Sequence, residues 1–480
     1  MSTHWSIDDL KHWDARIRER VAEAGLSCFP QEFEICDQDQ MLGYMAYSGM
    51  PAHYPHWSYG KSFERQKTLY SHGASGLPYE MVINANPSLA YLMRDNSLCL
   101  QILTIAHVYG HNDFFRNNFT FRDTRPDLTL EMFKVRADRV RAYIEDPGIG
   151  LDAVEGLLDA AHALSLQCRR NLAIRKLSEK EQKEQLQTAR PAGDPYQKIH
   201  KPAVFAEPDV TRLPIEPEED LLLFIRDHNP HLAEWEKDLL TIVHEQARYF
   251  VPQIETKIMN EGWASYWHHR ILNELGLPPD LQIEFLVRHA QVVRPHPGRI
   301  NPYYLGFKIW NDIKRRGDEP TADEIERDGP PEKSGIERMA EVRESDRDAS
   351  FLRRFLTREL MRELDMFEYA RNGDQMVVTH ISDDAHWERV KETLIANVGM
   401  GPVPVIRIVD ADHGHSRHLC LEHAHDGRDL DMEYAERTLA YLHRLWGRRV
   451  LLRTVSEGTE CVFVYDKSGF SRKGAAGRSA

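Results

Sequence analysis

The residues best suited to chemistry are two histidines one helical turn apart. Leu98–Phe115 reads Leu-Cys-Leu-Gln-Ile-Leu-Thr-Ile-Ala-His-Val-Tyr-Gly-His-Asn-Asp-Phe-Phe. The stretch is apolar on nearly every side, which predicts a buried central helix. His107 and His111 fall at i and i+4, on one face of it. Two imidazoles at that spacing can ligate one metal ion, because their nitrogens converge over a shared groove. A single buried histidine reads more simply as a hydrogen-bonded core residue, but a pair at ligand spacing on an apolar helix favours a metal. Gly110 between them costs about 1 kcal/mol in helix propensity against Ala. That cost predicts that a helix or a ligand packs closely there.

Two further helices carry candidate groups. Trp235–Phe250 contains Ile-Val-His-Glu-Gln-Ala-Arg, so His244-Glu245 resembles the start of a His-Glu-x-x-His zinc motif, with Arg248 where the second histidine belongs. Glu245 is read either as a general base or as the ion-pair partner of Arg248. The next helix reads Ile-Met-Asn-Glu-Gly-Trp-Ala-Ser-Tyr-Trp-His-His, with Glu261, Ser265 and His268 on one stripe. It resembles the third-ligand helix of the Glu-zincin peptidases, whose signature is Asn-Glu-Gly-aromatic-Ala. That resemblance implies His107, His111 and Glu261 as a two-histidine, one-carboxylate metal set with positions left for water and substrate. Val108 stands where those peptidases carry the catalytic Glu. The base must then come from elsewhere, with Glu245, beside His244, first and Glu255 second. Non-haem iron uses the same ligand types, so the ion is a divalent metal with Zn ranked first and Fe or Mn as alternatives. A di-iron carboxylate bundle fits less well, since the Glu-x-x-His found, Glu422 to His425, lies in an expected strand.

Around these residues the pattern is mainly helical. Residues 1–30 predict one amphipathic helix starting near Ser6, and residues 43–78 a long ordered loop with some helix. Tyr79–Ala85 reads as a short strand, followed by helices at about 88–93, 96–118, 128–145 and 149–185. Residues 186–218 are Pro-rich and charged, like a crossing loop. Helices follow at about 219–227, 231–250, 254–275, 279–292 and 302–316, with Pro252 expected to separate the 231–250 and 254–275 helices. Residues 317–347 are charged and poor in apolar residues, as in a solvated helix or mobile connection, and 349–367 predicts another helix. From Gln375 the order becomes β-α-β-β-α-β-β, a small α+β module with helices on one face of an antiparallel sheet, and the tail from Lys467 reads as frayed. The expected fold is therefore mainly α: a large helical, zincin-like domain with a short strand (1–315), a charged linker and helix (316–370), and a small C-terminal α+β domain (371–480). Two weaker candidates are the loop with His53, His56 and Trp57, read as aromatic packing ahead of a lid or fourth ligand, and the Asp410–His418 turn, read as a solvated hairpin ahead of a weak metal site.

Composition narrows the classes of function. The 480 residues carry 61 basic and 75 acidic side chains, a net charge of −14, with 41% hydrophobic residues. That balance disfavours nucleic acid and anionic membrane surfaces as nonspecific partners. No stretch approaches the ~18 apolar residues of a membrane span, and no basic-then-apolar leader opens the chain. The six cysteines are scattered without a Cys-x-x-Cys, as a reducing cytoplasm permits.

Several long segments together resemble the SpoVR family (stage V sporulation protein R-like proteins). They are Tyr54-Pro-His-Trp-Ser-Tyr-Gly-Lys-Ser-Phe-Glu64, His107-Val-Tyr-Gly-His-Asn-Asp-Phe-Phe115, Met259-Asn-Glu-Gly-Trp-Ala-Ser-Tyr-Trp-His-His269 and Pro302-Tyr-Tyr-Leu-Gly-Phe307. The resemblance spans roughly residues 5 to 465. It implies a cytoplasmic bacterial protein of sporulation or stress response, accompanied by a PrkA-type serine kinase and a von Willebrand-like partner protein, and it brings no settled reaction. Two functions follow as expectations: a metal-dependent hydrolase of the peptidase or amidase kind, or a nonenzymatic regulatory or scaffold protein working with the kinase.

Overall fold

The computed structural model describes residues 5–72, 80–170, 175–188, 213–295, 300–366, 369–372, 375–378 and 384–474. The chain forms two compact units that do not follow chain order. The first is Met1–Arg141 with Tyr249–Pro402, and the second is Ala142–Arg248 with Val403–Ala480. No described helix is long and apolar enough to cross a membrane.

The first unit is built around the helix Leu98–Asn117, which Ser97 caps by accepting from the Leu100 N–H. Sixteen consecutive positions of that helix bar one are buried, Cys99 and Gln101–Phe115, so neighbours must enclose it. One is the helix Lys257–Glu274. A side-chain carbon at Gly110 would stand 2.6 Å from the Ala264 Cα, so the glycine between the histidines is there for a helix crossing. A second crossing, with the helix Pro302–Asp318, needs Gly262, where such a carbon would lie 2.3 Å from the Gly306 carbonyl carbon. The helix Ile7–Glu23 is the one expected near Ser6, and it joins through the Tyr109 hydroxyl, which donates to Asp14 Oδ1 at 2.7 Å. Trp263, Trp267, Trp310, Phe114, Phe285 and Phe351 fill the space between helices.

A small sheet flanks this core, formed by β1 (Gln31–Cys36), β2 (Met81–Ile83) and β3 (Ser88–Met93) in the order β1-β3-β2. Residues 88–93 are thus a strand where the sequence predicted a helix. Five apolar residues in a row after Ser88 carry no decisive period, and parallel pairing with β1 settles the matter. Pro252 lies inside one helix, Glu234–Glu255, and the break comes at Thr256 instead. The segment expected as a charged connection also changes character. Residues 317–347 hold the helices Ala322–Asp328 and Gly335–Ser345, and the helix expected at 349–367 follows as two, Asp348–Phe355 and Arg358–Glu363. Met339, Val342, Phe351 and Leu352 are buried there, because an apolar residue every third or fourth position suffices to bury one helix face. A two-stranded hairpin, β4 (Tyr369–Asn372) with β5 (Gln375–Val378), and the helix Asp384–Ala396 complete the unit.

The second unit pairs the helices Leu151–Leu164, Glu179–Thr188, Leu221–His228 and Met432–Trp446 with a five-stranded sheet. Its strands are β6 (Ile406–His413), β7 (His418–His423), β8 (Val450–Ser456), β9 (Thr459–Asp466) and β10 (Gly469–Gly474), in the order β10-β9-β8-β7-β6. Every pairing is antiparallel except β7 with β8, which the helix Met432–Trp446 connects as a crossover. β10 occupies residues that the sequence predicted to be frayed. Most of the expected Pro-rich crossing loop, residues 189–212, lies outside the described residues.

Candidate metal centre

Four side chains from three elements of the first unit meet at one point. His107 and His111 come from the central helix, their ring centroids 4.7 Å apart. Glu261 sits in the first turns of Lys257–Glu274, whose leading N–H groups, those of Ile258 and Met259, donate to Asp348 at 2.9 Å each. Glu80 immediately precedes β2. One donor atom from each of the four lies within 4.8 Å of all the others, so the group could hold a metal ion.

His107 Nε2 is 3.1 Å from Glu80 Oε1 and 3.7 Å from Glu261 Oε2. His111 Nε2 is 3.7 Å and 3.4 Å from the same two atoms. Charge-assisted hydrogen bonds between such groups run shorter, about 2.7–2.9 Å. Donors bonded to one tetrahedral ion at 2.0–2.1 Å stand about 3.4 Å from each other, and the four separations scatter around that value. Both oxygens of Glu80, and Oε2 of Glu261, are buried and accept no hydrogen bond among the described residues. Buried acceptors left in that state are costly, and an ion with its bound water among them would satisfy them. Two carboxylates and two neutral imidazoles also carry the charge that a divalent cation cancels.

The outer nitrogens orient the two rings. His111 Nδ1 donates to Asn260 Oδ1 at 2.8 Å, which leaves its Nε2 lone pair facing the cluster. His107 Nδ1 lies 2.7 Å from His268 Nδ1, and His268 Nε2 lies 2.8 Å from His289 Nδ1. Burial, with His107 alongside, holds the His268 pKa far below the usual histidine value, so His268 is neutral. A neutral His268 has one N–H and one lone pair, so it can accept at Nδ1 from His107, and in that arrangement His107 presents an unprotonated Nε2 inward. Partners that orient the ligating ring in this way accompany most metal-bound histidines.

With no ion bound, the cluster would hold together as ion pairs. Burial works against the charged form of His111, but Glu261 and Glu80 outweigh it and push its pKa up to about 10. Burial likewise disfavours both carboxylates, yet His107 and His111 keep Glu261 and Glu80 below the ordinary carboxylate range.

Of the residues singled out by sequence, His107, His111 and Glu261 fall in this group. His244 and Glu245 do not: both belong to the second unit, where His244 Nε2 bonds Asp220 Oδ2 at 2.7 Å and Glu245 is exposed. Glu255 Oε2 faces Arg347 Nη1 at 3.3 Å. His53 lies 3.2 Å from the Tyr59 hydroxyl among Tyr47, Tyr54 and Phe133, and burial pushes its pKa down to about 4. His56 caps the helix Trp57–Ser71. The Asp410–His418 region is a hairpin turn with His415 fully exposed. The residue that sequence reasoning missed is Glu80. Its one signal was a lone carboxylate at the head of an apolar strand, Glu-Met-Val-Ile.

A cavity of about 460 Å³ opens beside the cluster, walled by Glu80, His111 and Glu261 on one side and by Phe115, Phe250 and Lys257 on others. A helical unit that gathers two imidazoles and two carboxylates beside a cavity defines a protein with a buried site fit for a divalent ion. The chain belongs to the SpoVR family: the model described as "SpoVR like protein" matches residues 4–403, and "SpoVR-like C-terminal domain" matches residues 404–457. The chain is similar to "Uncharacterized protein YcgB" of Escherichia coli (strain K12), at 34% identity over 481 residues, covering 94% of this chain and 93% of that protein. No solved structure matches it.

Proposed function

We propose that this chain is a metal-dependent hydrolase whose ion, Zn²⁺ ahead of Fe or Mn, is held by His107, His111 and Glu261 in a zincin-like arrangement. The observation that carries the reading is the buried Glu261 Oε2, which accepts no hydrogen bond and stands 3.7 and 3.4 Å from the two imidazole nitrogens as ligands of one ion stand, with the equally unsatisfied carboxylate of Glu80 beside them. A bound divalent ion acidifies a water molecule and polarises a carbonyl. Glu80 is assigned the base, in the role that Val108 denies to the histidine helix. In amide hydrolysis the water oxygen bonds to the carbonyl carbon and its proton passes to Glu80. The C–N bond then breaks, and Glu80 returns the proton to the leaving amine.

The test is metal content by mass spectrometry of protein purified without chelators, for the parent and for His107→Ala, Glu261→Gln and Glu80→Gln. One equivalent in the parent, its loss in the first two variants, and retention in Glu80→Gln with hydrolysis reduced on the order of 10²-fold or more are expected. No metal in the parent, or full retention in both ligand variants, would contradict the proposal. The competing proposal, a regulatory scaffold beside a PrkA-type serine kinase, predicts instead that these variants change kinase binding with no turnover to lose.

A further inference from the structure

The cavity beside the cluster has a chemical asymmetry. Its apolar wall is Met81, Val82, Phe115, Phe250 and Ile254. Among its lining residues Lys257 is the only lysine or arginine, and it makes no ion pair among the described residues. An ion held by the cluster neutralises Glu80 and Glu261, which leaves the Lys257 ammonium, whose charge also acts on the buried Asp348, as the net charge among the lining residues. Lys257 and Glu261 are i and i+4 on one helix and therefore share a face. The helix rises about 6 Å between them. An extended peptide advances about 3.3–3.6 Å per residue, so the two positions are one to two residues apart on a bound chain.

We infer that the cavity selects substrates with a free carboxylate, which Lys257 receives one to two residues from the bond at the metal, while Phe115 and Phe250 take an adjacent apolar side chain. This rests on the metal reading and narrows it to acyl amino acids and peptide C-termini. The class follows from the spacing: a cation that close to the ion favours a terminal anion over a distant one. Lys257 is exposed, so its contribution is that of a solvent-screened pair, weakened by salt.

The experiment uses the full chain loaded with Co²⁺, whose visible absorption reports ligand binding at the site. The probes are 2-benzylsuccinate, with two carboxylates and an aromatic ring, and 3-phenylpropionate, which lacks the second carboxylate. The parent is expected to bind 2-benzylsuccinate about fivefold more tightly than Lys257→Met does. Affinity for 3-phenylpropionate should not change, and Lys257→Arg should restore the difference. A Co²⁺ spectrum with equal 2-benzylsuccinate affinity in parent and Lys257→Met overturns the carboxylate inference and leaves the metal site standing. Failure of Co²⁺ to bind in the parent overturns both.

Discussion

The central helix carries two buried polar regions that use similar residues to opposite ends. On one face Asp113 is fully buried and fully engaged. It accepts from the Ser27 N–H at 2.8 Å, from Trp263 Nε1 at 2.9 Å, and from Arg343 Nη1 at 2.7 and 2.8 Å to its two oxygens. On another face His107 and His111 confront Glu80 and Glu261, whose buried oxygens accept no hydrogen bond. Burial raises the Asp113 pKa even with Arg343 beside it, whereas the two cluster glutamates are held low. A structural acid is surrounded by donors that the fold itself supplies. A binding site leaves the acceptors for something the chain does not contain.

The largest effect should come from breaking the satisfied region. Asp113→Ala leaves the Arg343 guanidinium buried without its partner, and chemical denaturation should show a loss of about 3–5 kcal/mol. Glu261→Gln in metal-free protein should cost less than Asp113→Ala, since Glu80 remains beside His111 to pair with its charge. Equal costs would erase the contrast between the two faces.

A smaller effect should follow removal of the ion. Chelation should lower the melting temperature through lost linkage, worth about 2.7 kcal/mol when the free ion stood at a hundred times its dissociation constant. His244→Ala, at the self-satisfied His244–Asp220 pair, should leave that chelator response unchanged.

Much of this contrast was legible in the sequence and some was not. The spacing of His107 and His111 fixes their shared face, and the Asn-Glu-Gly helix pointed to Glu261, because helical periodicity converts sequence distance into direction. Glu80 offered no such period: it heads a three-residue strand whose placement comes from pairing with β3. Arg343 lay in a segment whose charge density masked a buried face, and only its partner Asp113, 230 positions away, explains it. The second unit draws on residues 142–248 and 403–480 together. No local signal marks which helices join a distant sheet, since that choice is made by packing.

The gentlest test is pH. In the ion-free protein His111 keeps its proton up to about pH 10, and an ion can bind only the deprotonated ring. Metal affinity should therefore climb from pH 6 to 9, by at most about tenfold per pH unit for one displaced proton. The ion-free protein should behave the other way. The stabilisation from charged His111 is complete below the ordinary histidine pKa of about 6.5 and fades as pH rises through about 10.

X-ray absorption at the edge of the bound metal tests the central claim most directly. The account predicts a first shell of nitrogen and oxygen only, at about 2.0–2.2 Å, with imidazole scattering from two histidines in the parent and no bound-metal edge in His107→Ala. An absent edge in the purified chain, or a shell containing sulfur at about 2.3 Å, would contradict it.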